Sequence, residues 1–344
     1  MIITCRTLQD FLTNVKINDA DIRLFYEELY NTGDCKIKEV VLAFYKGERK
    51  NKSAANQKAE LWNLIENRTF EAYSEAFLDK HKDSALQPHR IFYRGVANKD
   101  YKLVSGIYRN KEKEENYYFH ELQVRCPSIL AHLRCFNKLT YMQHYGSPTR
   151  LLDITANPLV GLYFACERHF EIDGKVSVFG IRSDEIAYET SDRVQMLSHL
   201  QELTKVEQEQ LQKLSYLYLF GKFPQNTNSK YTDPEVERLY YNTQKENYAF
   251  KREIKPLDML YPVFVQANQD NPRILKQDGA FIMSALNLNE TDSDSKLKKH
   301  VVRELIIPAD CKKTILSDLE TLCCIHKASL FPELDTVSQY LRNK

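Results

Sequence analysis

Apolar residues along this chain recur mostly at helical spacing, with only a few short stretches that alternate as strands do. Residues 22–30 and 55–65 are amphipathic with a helical period, and no convincing strand precedes residue 86, so residues 1–85 are predicted to be mostly helical. Trp62 falls with Leu61, Leu64 and Ile65 on what reads as a core face. A first strand is predicted at 90–95, ending on Gly95, and a second short extended piece at 101–108. A long helical region follows at 114–139, marked by Tyr118, Leu122, Ile129 and Leu133.

Asn157-Pro158 reads as helix cap and first helical residue, because Asn accepts from free N–H groups and Pro lacks one. Leu159, Leu162, Tyr163 and Cys166 then give a helix at 158–170 with a buried stripe. Asp173-Gly174 turns into a strand at 175–181, half-buried because Val176, Val178 and Gly180 alternate with outward positions. The Gln-, Lys-, Glu- and Tyr-rich run 192–255 has helical spacing at 196–203 and 211–220, a helical excursion between strands. Strand signals return at 262–266, 281–285 and 305–307, with helices at 309–321 and 335–342. The polar run 287–299 reads as a mobile loop. Many helices, few strands and no βαβ alternation predict an α+β fold: a helical N-terminal region at 1–85, then a small mixed or antiparallel sheet core with helical insertions at 86–344.

Composition narrows the function. Formal net charge is +1, so no overall field recruits nucleic acid or an anionic membrane. Neither a signal-like apolar start nor a spanning segment is visible, and the cysteines at 5, 35, 126, 135, 166, 311, 323 and 324 form no CxxC pair and show no His at zinc spacing. Reduced thiols, a cytoplasmic setting and no metal are expected. The chain lacks GxxxxGK[ST], GxGxxG, GxSxG and HExxH, which argues against phosphate-loop, dinucleotide-fold, serine-hydrolase and zinc-protease chemistry.

The most informative stretch is 141–165, YMQHYGSPTRLLDITANPLVGLYFA. It sets His144, Arg150 and Asp153 between a turn and an apolar helix, where charge is costly unless it pairs or serves a ligand. Arg150 and Asp153 either pin the turn as a pair or form part of a site. Arg94, at a strand end, suits a phosphate, since its fork donates two parallel charge-assisted hydrogen bonds.

Four segments together resemble the FRG-domain family: Phe92-Tyr93-Arg94-Gly95, the stretch around QHYGSPTRLLDIT, NPRILKQDGAF at 271–281 and LFPELDTVSQYL at 330–341. They occur in order across about residues 86–344. A separate, weaker resemblance is to ADP-ribosyltransferases of the Arg-Ser-Glu type. It implies NAD as co-substrate, Arg94 as the phosphate-binding Arg and Gln277 near the position of the late Glu. Gln is a departure, because a neutral amide cannot stabilise an oxocarbenium-like centre, and no Ser-Thr-Ser motif is present. Asp153 is therefore the candidate for the charge role. In this reading Arg150 and Arg273 help to anchor phosphate, Tyr93 and Tyr145 stack on nicotinamide, and His144 and Gln277 orient. The company such domains keep implies a bacterial toxin or antiphage effector, a macromolecular acceptor (RNA, DNA or protein) and an antitoxin or chaperone partner. The other class, a non-catalytic module binding a nucleotide or RNA end, or a nucleic-acid-processing enzyme, stays open, because stacking and Arg contacts serve it equally.

Overall fold

The computed structural model describes residues 1–18, 21–22, 89–109, 112–219, 234–251, 256–268, 271–286 and 290–342. All but the first residue of the helix expected at 22–30, the whole of the one expected at 55–65, and Trp62 lie outside the described residues. Eight strands form one sheet: β1 (Ile2–Thr4), β2 (His89–Val96), β3 (Leu151–Thr155), β4 (Gly174–Arg182), β5 (Ile186–Tyr188), β6 (Val263–Gln266), β7 (Gly279–Met283) and β8 (Val301–Ile307). Their spatial order is β1-β8-β4-β2-β3-β7-β6-β5. The edge strands β1 and β5 pair parallel with β8 and β6, and all other pairs are antiparallel. The fold is α+β, with a larger mixed sheet than expected.

The helices that matter for the site are α1 (Leu8–Asn14), α2 (Glu115–Arg125), α3 (Cys135–His144), α4 (Pro158–Cys166), α5 (Asp192–Ser198), α6 (Lys205–Leu219), α7 (Pro234–Glu246), α8 (Pro272–Lys276), α9 (Glu290–Lys298), α10 (Lys312–Cys323) and α11 (Leu334–Arg342). Side chains alternate across a strand, so Tyr93, Leu151, Asp153 and Thr155 share one face, and Phe92, Leu152 and Ile154 the other. Two cores lie on the first face. One packs Tyr93, Val176, Val178 and Leu305 under α1, α4 and α10. The second packs Leu151, Phe281 and Met283 under α3, α5 and α7. The opposite face holds a third core, with Phe92, Leu152, Phe179 and Ile282 closed by Leu103 and by Leu297 of α9.

Several elements differ from the sequence reading, each for a tertiary reason. The N-terminal region is not strand-free: Ile2–Thr4 is stitched onto β8, a three-residue run too short to show a period. Residues 101–108 are not extended. Leu103 and Val104 are buried, and Gly106–Arg109 turns helical where Ile107 N–H donates to the Thr149 carbonyl. The expected long helix at 114–139 breaks after Arg125, and Pro127 starts a separate helical turn before α3 begins at Cys135. β4 is buried on both faces rather than half-buried, because Val176 and Val178 lie in the core under α4 while Phe179 and Ile181 lie in the core on the opposite face. The polar run expected to be a loop contains α9. Its Asp294 accepts the Leu103 N–H at 2.7 Å and its Lys296 donates to the Leu286 carbonyl, so these polar residues are buried with partners.

Among the described residues no helix is long and apolar enough to cross a membrane.

Candidate functional site at the central strands

The QHYG turn is shaped by its glycine. α3 ends at His144, and the chain reverses through Gly146 at φ 86°, a left-handed conformation that a side chain resists. The turn leaves Tyr145 74% exposed while His144 turns inward. There three of the four sequence motifs meet. His144 Nε2 lies 3.1 Å from Glu333 Oε1. Arg273 Nη1 donates to the His144 carbonyl at 3.2 Å, and its guanidinium sits 4.5 Å from the centre of the Phe331 ring. Glu333 Oε2 is buried and has no hydrogen-bond partner among the described residues.

Burial lowers the His144 pKa below the ordinary 6.5, Arg273 lowers it further, and Glu333 acts the other way. His144 is therefore neutral at pH 7 and able to accept a proton. Because its folded-state pKa is the lower one, protonation opposes folding, and the stability of this cluster is lost as pH falls from 6.5 through the folded value. Arg273→Gln removes a lowering charge, so the His144 ring should titrate at higher pH in the variant by NMR. An unchanged or lower midpoint would show that the two groups are not in contact.

Asp153 is an exposed carboxylate in the middle of a central strand. By alternation it faces the helical layers, between the core under α4 and the core under α3. It makes no side-chain hydrogen bond among the described residues. Farther along β3, Thr155 Oγ1 donates to the Gln277 carbonyl at 2.6 Å, and Asn157, the N-cap of α4, donates through Nδ2 to Asp278 Oδ2 at 3.2 Å. Beyond them opens a cleft of about 310 Å³ lined by residues including Asn157, Val160, Lys276, Ser329 and Leu330.

Arg94 holds β2 to β3. The two strands share one bridging pair, Tyr93 with Thr155, and past it Arg94 Nη1 donates to the Asp153 carbonyl at 2.6 Å. Its Nε is buried without a hydrogen-bond partner. Burial pulls the guanidinium pKa down to about 10, with Asp153 raising it and Arg109 lowering it further, so the group stays charged at neutral pH. By alternation Arg94 emerges on the face of Phe92. It meets Asp153 through the main chain, and the Asp153 carboxylate belongs to the other face.

Two of the sequence-derived site residues are placed where a ligand does not reach. Arg150 is fully buried; its Nε donates to Glu115 Oε1 at 2.9 Å and its Nη2 to Glu115 Oε2. Its partner is thus Glu115 of α2, neither Asp153 nor a phosphate. Tyr93 is 8% exposed and packs beneath α4, so its ring is core and no wall for nicotinamide. Tyr145 is open to solvent beside His144, with ring centroids 4.7 Å apart. Gln277 spends its amide on the Leu330 carbonyl at 3.0 Å. Glu333 and Phe331 were not singled out residue by residue, although the FPELD segment that carries them was visible.

The geometry gives an α+β unit with a cluster of polar side chains on one sheet face between two helical layers. Residues 89–173 match the family model described as FRG domain, so the chain carries an FRG domain over that stretch. The match covers the FYRG strand, the QHYG turn, Asp153 and α4; Arg273 and Glu333 come from outside it. No curated protein matches the chain, and neither does any solved structure.

Proposed function

We propose that this sheet face binds a phosphorylated nucleotide, NAD by preference, and transfers its ADP-ribose to a macromolecule. The observation that carries the reading is the neutral His144 held against Glu333 and Arg273, on the same face as a free carboxylate, Asp153. The nicotinamide–ribose bond breaks with its electron pair leaving on nicotinamide, which builds positive charge on the sugar. Asp153 makes no side-chain hydrogen bond among the described residues and suits that charge. The acceptor group attacks the ribose carbon and loses its proton to His144, which Glu333 orients. Arg273 and Lys276 supply cationic groups for the phosphates, and Tyr145 is free to stack on a base. The protein's company in the cell, a toxin or antiphage role with a neutralising partner, is a further expectation of this reading, as is a cytoplasmic setting.

The test is release of nicotinamide from NAD by the purified full chain, with RNA, DNA and lysate protein as acceptors. Asp153→Asn should lower release about 10²- to 10³-fold, the scale of losing one preorganised charge-stabilising group. His144→Gln should lower acceptor modification. No release with any acceptor would overturn the chemistry, and retained binding of nucleotide or RNA in that case would point to a binding module.

A further inference from the structure

We infer that Cys135, His199 and Glu246 form a buried binding site for a divalent transition metal of the zinc class. Their donor atoms lie within 4.8 Å of one another, and they come from three distant segments: the first residue of α3, the turn after α5 and the last residue of α7. Cys135 is 3% and His199 4% exposed, and Glu246 is half-buried.

Three donor atoms of metal-ligating type within 4.8 Å of one another are close enough for one ion to draw together. His199 Nε2 is 3.2 Å from Glu246 Oε2, yet it is buried and its geometry there makes no hydrogen bond. Two N/O ligands about 2.0–2.1 Å from a tetrahedral ion stand roughly 3.3 Å apart, so this separation fits a shared ion. Outer contacts have the matching form. His199 Nδ1 faces Glu202 Oε1 at 3.1 Å, the carboxylate–histidine support that fixes which nitrogen faces the metal. Gln201 Nε2 donates to Cys135 Sγ at 3.2 Å, and the Cys135 N–H donates to Glu246 at 3.0 Å. Binding takes the thiol proton off Cys135 and uses the imidazole in its neutral form. A thiolate and a carboxylate then balance the two charges of the ion.

The site pins the start of the helix whose last residue is His144, and it ties α3 to α5 and α7 over the second core. It lies apart from the proposed nucleotide site, and its occupancy can be read without any activity.

The experiment is metal analysis of the full-length protein purified without chelator, followed by exchange to Co²⁺. One equivalent of zinc-class metal, and a Co²⁺ spectrum with a thiolate-to-cobalt charge-transfer band, are expected. Cys135→Ser should lose that band and the bound metal while keeping its far-ultraviolet dichroism; Cys323→Ser and Cys324→Ser should keep both. Chelation should lower the wild-type melting temperature by several degrees and leave that of Cys135→Ser unchanged. Should Cys135→Ser fail to fold, the wild-type Co²⁺ spectrum decides alone. Binding below one equivalent with added Zn²⁺ or Co²⁺, or a Co²⁺ spectrum lacking the thiolate band, overturns the proposal and leaves His199 as an imidazole held between two carboxylates.

Discussion

Replacing Glu115 with alanine is expected to cost about 3–5 kcal/mol of folding stability, because it strands the Arg150 guanidinium in the protein interior. Arg150 is 0% exposed, and among the described residues Glu115 is the only carboxylate in contact with it. Its other hydrogen bonds are to neutral acceptors, the Ser284 carbonyl at 3.3 Å and Gln208 Oε1 at 3.4 Å. These are too long to take over from a bidentate carboxylate. Urea unfolding should show the midpoint moving down with little change in slope. The double variant Glu115→Leu with Arg150→Met removes both charges and should recover most of the loss, since a buried pair and its apolar substitute are often close in energy. That variant also separates structure from function. If it folds stably yet loses ligand binding, Arg150 does more than brace α2 against β3.

Gly95→Ala is expected to cost about 3 kcal/mol or more, or to prevent folding, because the added methyl has no room. A Cβ at this position would lie 1.7 Å from the Gly161 carbonyl oxygen and 2.9 Å from the Ala165 nitrogen, all backbone of α4. Backbone cannot swing aside as a long side chain can, so the whole helix must lift from the sheet. The lift would unseat Asn157 from Asp278 and disturb the strand that carries Arg94. Gly161→Ala is the control from the other side of the same contact. Its Cβ would meet the Tyr93 Cβ at 3.1 Å and Val176 at 3.5 Å, a tight fit that small shifts relieve, so a loss of about 1 kcal/mol is expected. Thermal unfolding of both variants checks the ranking, and equal melting temperatures would refute the close approach of β2 and α4.

The aromatic-Arg-Gly motif can thus be understood physically as a packing device as much as a ligand-binding one. Tyr93 fills the core under α4, Gly95 lets α4 approach, and Arg94 bridges to β3 where the ladder has stopped. The sequence reading assigned both the tyrosine and the arginine to a ligand, because charge and aromatic area beside glycine look alike whether they serve a binding site or a crowded interior. Arg150 shows the same ambiguity. Its partner Glu115 is far away in the chain, so nothing local separated a buried bidentate pair from a phosphate anchor.

Along the chain, local signals were decisive where the chemistry is local. The Asn157 cap, the apolar character of α4 and the QHYG reversal at Gly146 all follow from neighbouring residues, whereas the turn before β4 falls at 169–172, just ahead of the expected Asp173-Gly174. The grouping of the QHYG, NPRILK and FPELD segments as one unit was also visible as a pattern. Only the tertiary structure decided which of their residues touch. It brought His144 to Glu333, Arg273 to Phe331, and Cys135 to His199 and Glu246, contacts between segments with no short-range spacing to betray them. The physical reason is range: caps, turns and periodicity act over a few residues, whereas burial and charge pairing are settled by whichever distant segment the sheet order sets alongside.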